Sequence, residues 1–337
     1  MDVVRRWPMS IVWILLAFLA VFALLAGLAL WVRAAPGRSH AGPLPTVSPT
    51  QLATAERLEA DVAILAASPR DVTHPEALKA AGDHIVARLT AAGLTPKRLP
   101  YQALGHPVEN IEAVLPGGEK AHEVVVIGAH YDTVPGTHGA DDNASGVAAM
   151  IELARRFQGR RFARTLHFVA FTNEEPPFFR TELMGSLVYA RDLQDKKAGI
   201  TAMISLEMLG FYSDAPKSQQ YPVPALSAVY PDTANFVAFV GDLKNRDLVQ
   251  RCVGVFRKAV PFPAESIAAP ALMAGIDFSD HWAFWEAGFP AIMVTDTAFL
   301  RNHHYHAPTD LPETLDYPRM ARLMDGLEAV AVDLLQQ

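Results

Sequence analysis

LHFVAFTNEEPP, residues 166–177, is the stretch that decides the fold. Its apolar first half has the length and composition of a strand buried on both faces, and the two prolines at its end cannot continue a strand. Between these parts stand two neighbouring carboxylates, Glu174 and Glu175. Neighbouring acids repel each other and lose hydration near a core, so their position at the end of a buried strand requires an explanation.

Similar short apolar runs recur along the chain and alternate with helical patterns. They predict strands over 110–115, 123–129, 166–172, 202–206, 236–240 and 291–295. Helices are predicted over 49–67 and 75–92, and apolar stripes of helical period lie around 147–154 and 320–334. Buried strands joined by helical crossovers predict one α/β domain, a three-layer α/β/α sandwich around a mixed, mostly parallel sheet.

The N-terminal part of the chain differs from the rest in composition. Residues 11–32 carry no charged side chain, and as a helix they would extend about 33 Å, enough for a hydrocarbon core of roughly 30 Å. We therefore predict a membrane anchor over 1–32, a Pro/Gly-rich linker over 33–48 and a catalytic domain over 49–337. The expected single-pass topology places the domain on the extracytoplasmic side, with a cleaved signal or the reverse orientation as alternatives.

Composition excludes several classes of function. The chain has 36 acidic against 29 basic residues and a formal net charge of −7, so it offers no basic surface for nucleic acid. Its one cysteine, Cys252, excludes an intramolecular disulfide and a cysteine-rich zinc module. The sequence leaves the oligomeric state open.

Histidine and acidic residues follow several of the predicted strands. In open α/β sheets, ligands gather at the carboxyl ends of the strands. Three strands are followed by His130-Tyr131-Asp132, by Asn173-Glu174-Glu175 and by Glu207, and the loops GADDNASG (139–146) and YHAPTD (305–310) add further acids and a histidine. Histidine with several carboxylates and no cysteine suits zinc, with cobalt or manganese as alternatives.

The excess of carboxylates over histidines favours two metal ions, because an aspartate can bridge two cations about 3.5–4 Å apart. Two cations also explain the paired glutamates. Glu175 can face a metal, which cancels its repulsion with Glu174, and Glu174 can then take a proton from metal-bound water. Since consecutive side chains of a strand point to opposite faces, the chain has to leave strand geometry at this point.

The order HYD, GADDNASG, NEE, LEMLG, SDHWAFW and YHAPTD resembles the M28 family of zinc-dependent metallopeptidases. The resemblance covers roughly residues 85–335. It implies an α/β/α sandwich with co-catalytic metals and, in most members, aminopeptidase activity. By this resemblance His130 binds one metal, Asp142 bridges two, and Glu175 and His306 bind the second. Glu207 takes a further ligand position, where the family often has aspartate. The site must therefore accommodate a longer side chain.

The resemblance also implies the catalytic roles. Glu174 is expected to be the general base and acid, with a metal-bridging water as nucleophile, and Asp132 is expected to orient His130. A cis peptide bond is expected after Asp142. Asp141 we assign to capping the helix that follows.

The prediction is thus a membrane-anchored aminopeptidase with two zinc ions per chain, acting on peptides. A single-zinc enzyme similar to glutaminyl cyclases, and a non-catalytic interaction protein on the same fold, are the alternatives. His303 and His304 are expected to have structural or rim roles, and Asp280 and His281 are expected to begin a helix near the site.

Overall fold

A computed structural model of the protein describes residues 9–336 and, within the N-terminal helix, the side chains of residues 11–23, 27 and 31. The helices are α1 (Met9–Arg33), α2 (Pro49–Leu65), α3 (Pro75–Ala91), α4 (Gly146–Arg156), α5 (Gly185–Asp195), α6 (Arg246–Ala259), α7 (His281–Glu286) and α8 (Tyr317–Gln336). The strands are β1 (Lys97–Ala103), β2 (His106–Leu115), β3 (Lys120–His130), β4 (Arg164–Phe171), β5 (Gly199–Glu207), β6 (Val237–Asp242), β7 (Ala264–Ala269) and β8 (Ala291–Thr295).

The eight strands form one mixed sheet in the order β1-β2-β4-β3-β5-β8-β6-β7. β3 lies parallel to β4 and β5, and β5 lies parallel to β8. The carboxyl ends of these four strands therefore meet at one edge of the sheet. β6 runs antiparallel to β8, and β7 runs parallel to β6.

Both faces of the sheet are covered. Successive side chains of β3 point to opposite faces and pack into two different cores. Val125 and Ile127 belong to the larger core, which also contains apolar side chains of α2, α3, α4, α6 and α8. Val124 and Val126 belong to a smaller core with side chains of α5 and α7. The α/β fold with a mixed, mostly parallel sheet, predicted from buried strands and crossovers, is confirmed.

All six predicted strands are present, and the pattern missed β1 and β7. Both lie at the edges of the sheet. β1 has the sequence KRLPYQA and β7 the sequence AESIAA, so neither shows the continuous apolar run that marks a strand buried on both faces. An edge strand needs fewer apolar residues because part of its surface meets solvent or a covering segment.

The N-terminal apolar segment forms α1, for which the sequence predicts a membrane anchor. Among the helices as far as the structure describes them, none combines the length and the apolar character that a bilayer span requires. The predicted transmembrane helix is therefore not supported. The extracytoplasmic location depends on the same segment and stays a prediction.

The segment predicted as a linker lies against the domain. Within it we call residues 34–45 the docked segment. The side chain of Gln250 donates to the carbonyl of Ala34 at 2.5 Å, and the backbone N–H of Ala264 in β7 donates to Ser39 Oγ at 3.0 Å. Arg322 in α8 donates to the carbonyl of Pro45. The docked segment therefore extends from α6 past the edge strand β7 to α8.

Candidate metal centre

The predicted metal ligands come together where β3, β4 and β5 end. Three sets of side chains each offer ligand atoms within 4.8 Å of one another: His130 with Asp142 and Glu207, His130 with Glu174 and Glu175, and Asp142 with Glu175 and His306. All are buried except His306, which is partly exposed. These residues come from five separate places in the sequence, so the fold itself assembles the cluster.

Asp142 lies between the two histidines. Its Oδ1 is 3.3 Å from Nε2 of His130, and its Oδ2 is 3.2 Å from Nε2 of His306. The peptide bond that follows Asp142 is cis, as the resemblance implies. Each oxygen of this carboxylate faces a different histidine, which is the arrangement that a bridging ligand needs.

The remaining carboxylates extend the cluster on either side of Asp142. Glu207 Oε2 lies 3.4 Å from His130 Nε2, and Glu175 Oε2 lies 3.2 Å from His306 Nε2. The longer side chain of Glu207 is held at its tip, because Ser279 Oγ donates to Glu207 Oε2 at 2.6 Å. Ser279 is in turn 2.7 Å from the hydroxyl of Ser205. This buried hydroxyl pair accommodates glutamate where the family often has aspartate.

The backbone around Glu174 and Glu175 leaves strand geometry, as the sequence requires. Asn173 has a positive φ of 58°. The two carboxylate oxygens of Asp132 then accept the backbone N–H groups of Glu174 and of Glu175, both at 3.1 Å. Asp132 Oδ1 is also 3.6 Å from His130 Nδ1, which is longer than a hydrogen bond. The hydrogen bonds of Asp132 thus hold the backbone of the two glutamates. Its carboxylate also lies beside His130, as expected.

Burial dominates the electrostatics of the paired glutamates. It raises the pKa of Glu174 well above its usual value; His130 opposes this increase, and the charges of Glu175 and Glu207 add to it. Burial and the charge of Asp142 also raise the pKa of Glu175, to about 8, although His306 lowers it. Buried carboxylates that lie close together repel one another when ionised, so some of them are favoured in the protonated form.

The residues present fit a metal ion. Nε2 of His306 and Oε1 of Glu175 are buried and make no hydrogen bond within the described part of the chain. Imidazole nitrogens and carboxylate oxygens are the ligands that zinc takes in sites without cysteine. A cation here would supply the missing partners and would compensate the carboxylates whose pKa values are raised.

Asp141 has a different role from the helix cap predicted for it. The N-cap of α4 is Ser145, and neither side-chain oxygen of Asp141 accepts from the first turn of this helix. Instead, Asp141 Oδ1 accepts from the N–H of Gly210 at 2.9 Å, and its Oδ2 accepts from the side chain of Asn302 at 2.7 Å. The capping prediction was wrong because a fully buried carboxylate is satisfied by distant segments of the chain, which local sequence does not reveal.

The other predicted neighbours of the site lie as follows. The rings of His303 and His304 are 3.9 Å apart, and neither belongs to a described ligand set. His281 begins α7. Asp280 precedes it with a fully buried carboxylate that has no hydrogen-bond partner among the described groups.

Sequence reasoning did not identify Asp310 as part of the site, although it ends the quoted YHAPTD motif. Its two oxygens accept the N–H groups of Asp141 at 2.9 Å and of Asp142 at 3.0 Å. Ser279 was likewise missed within SDHWAFW. The signal was present in both motifs, but an aspartate or serine in a loop has so many local uses that only its distant partner reveals the role.

A cavity of about 100 Å³ lies beside the cluster. Glu207 and Tyr305 line it on the side of the candidate ligands, and the Tyr305 ring stacks on His306 with centroids 3.8 Å apart. The rest of the wall is mostly apolar and includes Phe236, Met293 and Phe299. The cluster therefore adjoins a space that suits an apolar group.

The sequence model of peptidase family M28 matches residues 110–331 of the chain. The chain belongs to peptidase family M28. Family membership and the histidine–carboxylate cluster together define the class of this protein as a metal-dependent peptide hydrolase.

Two curated proteins are similar to the chain in sequence. The protein named "Uncharacterized protein YfbL" of Escherichia coli strain K12 is 36% identical over 329 residues, which cover 93% of this chain and 97% of that protein. A protein of Arthroderma otae named "Probable leucine aminopeptidase" is 28% identical over 225 residues, or 63% of this chain and 52% of that protein. The chain thus matches about half the length of this aminopeptidase.

Two solved structures share the fold. The LapA aminopeptidase of Legionella pneumophila has a TM-score of 0.67 at 18% identity, covering 89% of this chain and 78% of the other. A glutaminyl cyclase of Fimbriiglobus ruber has a TM-score of 0.63 at 19% identity, covering 88% of this chain and 98% of the other. At these identities the similarity concerns the fold and leaves the reaction open.

Proposed function

We propose that this protein is an aminopeptidase that uses two zinc ions to remove residues from the N-terminus of peptides. The observation that carries the proposal is the position of Asp142, whose two carboxylate oxygens each face a different histidine. His130 and Glu207 would hold one ion together with Asp142, and Glu175 and His306 would hold the other. When bound, the two ions supply Lewis-acid catalysis and lower the pKa of water.

Glu174 is the proton carrier in this proposal. Its carboxylate is buried beside the ligands without being needed to hold either ion, and burial raises its pKa. A carboxylate with a raised pKa is a better base, so it can accept a proton from the attacking water and return it to the leaving amine. Asp132 fixes the backbone of Glu174 and so keeps this carboxylate in place.

The cavity supports a preference for apolar N-terminal residues. Its wall is mostly apolar, and it begins at Glu207, one of the proposed ligands. A substrate whose first side chain enters this cavity brings its ammonium group and its first peptide bond close to the carboxylates. We therefore expect leucine and methionine anilides to be cleaved faster than glutamate or lysine anilides.

The test of the proton carrier is Glu174→Gln, which keeps the shape of the side chain and removes its basicity. We expect kcat for a leucine anilide to fall by at least about 10²-fold, with two zinc ions still bound. Glu112→Gln in β2 is the matched control and should keep wild-type activity. Wild-type activity in Glu174→Gln would refute the assignment of the base.

The similarity to a glutaminyl cyclase fold makes a single-zinc enzyme the second candidate. Elemental analysis of metal per chain separates the two. We expect two zinc ions in the wild-type protein and about one in both His130→Ala and His306→Ala, because each histidine faces a different oxygen of Asp142. One ion per wild-type chain, together with cyclisation of an N-terminal glutamine, would favour the second candidate.

A further inference from the structure

Arg70 is a buried arginine that lies before the residues matched by the family model. Only 1% of its surface is exposed. Its Nε donates to the carbonyl of Tyr131 at 2.7 Å, and its Nη2 donates to the carbonyl of Gly139 at 2.8 Å. Nη1 donates to the carbonyls of Leu65 at 3.1 Å and of His138 at 2.5 Å. Every one of these acceptors is a backbone carbonyl.

Three of the four acceptors belong to the segment that connects β3 to α4. Tyr131 lies at its start, between His130 and Asp132, and His138 and Gly139 lie near its other end, shortly before Asp142. Leu65 ends α2. One guanidinium group therefore ties both ends of the connection between β3 and α4, one beside His130 and one beside Asp142, to the end of a helix.

The backbone of Arg70 strengthens the first of these connections. Its N–H donates to Thr133 Oγ1 at 3.1 Å, and its carbonyl accepts from the N–H of Thr133 at 3.1 Å. The backbone and the side chain of Arg70 thus both hold the segment that follows His130.

The Asp142 end of this connection packs closely against the guanidinium. Gly139 has a φ of +59°, and a Cβ at this position would lie 3.2 Å from Arg70 Nη2 and 2.2 Å from the carbonyl oxygen of Asp142. No larger residue fits between the arginine and the bridging aspartate. A displacement of Arg70 would therefore move the backbone of Asp142.

Arg70 also places a positive charge behind the acid cluster. Burial lowers its pKa to about 10, while the carboxylates of Asp310, Asp132, Asp142 and Glu175 raise it. The group remains a cation at neutral pH. It compensates part of the negative charge of the site with or without metal.

We propose that Arg70 is a positioning residue, which holds the two ends of the connection between β3 and α4, beside His130 and beside Asp142, at the separation that the two metal ions require. The inference rests on the proposed zinc site and adds to it a residue that touches no ligand side chain. Arginine suits this role because its rigid, planar group donates in several fixed directions, whereas a lysine concentrates its donors on one atom.

The experiment measures zinc affinity by competition with a chromophoric chelator for wild type, Arg70→Met, Arg70→Lys and the control Arg156→Met. Loss of a residue that orients metal ligands typically weakens metal affinity by about 10–100-fold, and we expect a loss in this range for Arg70→Met. Arg70→Lys, which keeps the charge, should be weakened less. Arg156→Met loses ion pairs with Glu152, Asp325 and Glu328, so it should lower Tm and keep wild-type zinc affinity.

A second readout separates positioning from general stability. Positioning predicts that the increase in Tm on adding zinc becomes smaller in both Arg70 variants, whereas a purely structural role lowers Tm equally with and without zinc. If Arg70→Met does not fold, Arg70→Lys decides. Wild-type zinc affinity in the folded Arg70 variants would overturn the inference, and absence of zinc binding in the wild-type protein would instead refute the proposed function.

Discussion

Asp132 and Asp310 perform the same task in two different loops. Each accepts the backbone N–H groups of two consecutive residues, Glu174 and Glu175 in one case and Asp141 and Asp142 in the other. In each pair, a carboxylate fixes the main chain of two acidic residues, and the side chains of Glu174, Glu175 and Asp142 remain directed at the cluster. Asp132, which the resemblance placed beside His130, and Asp310, which sequence reasoning missed, thus determine where the proposed ligands and the proposed base point.

Gly139 offers a test of how tightly the loop of Asp142 is built. An alanine there would have an unfavourable positive φ and a Cβ 2.2 Å from the carbonyl oxygen of Asp142. We expect Gly139→Ala to lower the free energy of unfolding by about 2–4 kcal/mol and to weaken zinc binding. Urea unfolding and zinc titration would measure the two effects.

The matched control is Gly159→Ala, because Gly159 also has a positive φ, of +73°, and a Cβ there would meet nothing within 4 Å. It should cost only about 1 kcal/mol, the strain of the backbone alone, and should leave zinc affinity unchanged. Equal effects of the two substitutions would show that the contact with Asp142 has no energetic role.

At the scale of elements, Glu152 of α4 joins two helices through arginine. It accepts hydrogen bonds from Arg57 of α2 and from Arg155 and Arg156 of its own helix. Burial alone raises the pKa of Glu152, but these hydrogen bonds outweigh it and lower the pKa to about 2. Its charged form therefore stabilises the packing of α2 on α4.

The pH dependence of this stabilisation follows from the sign of the shift. The folded-state pKa lies below the ordinary value of 4.5, so the stabilisation is present above about pH 4.5 and is lost as pH falls towards 2. We expect Glu152→Gln to be less stable than wild type by about 1–3 kcal/mol at pH 7, with the difference shrinking between pH 5 and 2. Urea unfolding at several pH values would measure it.

Glu182→Gln is the control for this series, because Glu182 pairs with Arg191 on the surface and is 71% exposed. Its effect should stay within about 0.5 kcal/mol at every pH. A difference between Glu152→Gln and wild type that does not change with pH would contradict the interpretation.

The elements also show how far sequence could predict this molecule. The buried apolar runs predicted six strands. The residues that follow these runs predicted that His130, Glu175 and Glu207 lie at one edge of the sheet. Both signals are local in the sequence. The edge strands β1 and β7 lack that signal. The roles of Asp310, Ser279 and Arg70 depend on contacts with distant segments, and an isolated aspartate, serine or arginine in a loop does not reveal its partner.

At the scale of the whole molecule, the docked segment joins the N-terminal part of the chain to the domain. Its Ala35 and Leu44 pack against the larger core, and Ser39 accepts from the first residue of β7. It therefore covers an edge that would otherwise be open to pairing with another strand.

A chain that begins at Thr46 should accordingly be less stable than one that begins at Ala34. We expect a decrease of about 2–4 kcal/mol in the free energy of unfolding, from the apolar surface and hydrogen bonds lost, and an increased tendency to aggregate. Thermal unfolding with light scattering would measure both. Identical behaviour of the two chains would show that the docked segment makes no net contribution.

The direction of β6 has a practical consequence. Because β6 runs antiparallel to β8, its last residue lies at the edge of the sheet opposite the candidate metal centre, and exposed Leu243 and Lys244 follow it there. An affinity tag or a surface attachment inserted between these two residues would leave the catalytic edge facing the solution, so immobilised protein should hydrolyse peptides as freely as protein in solution.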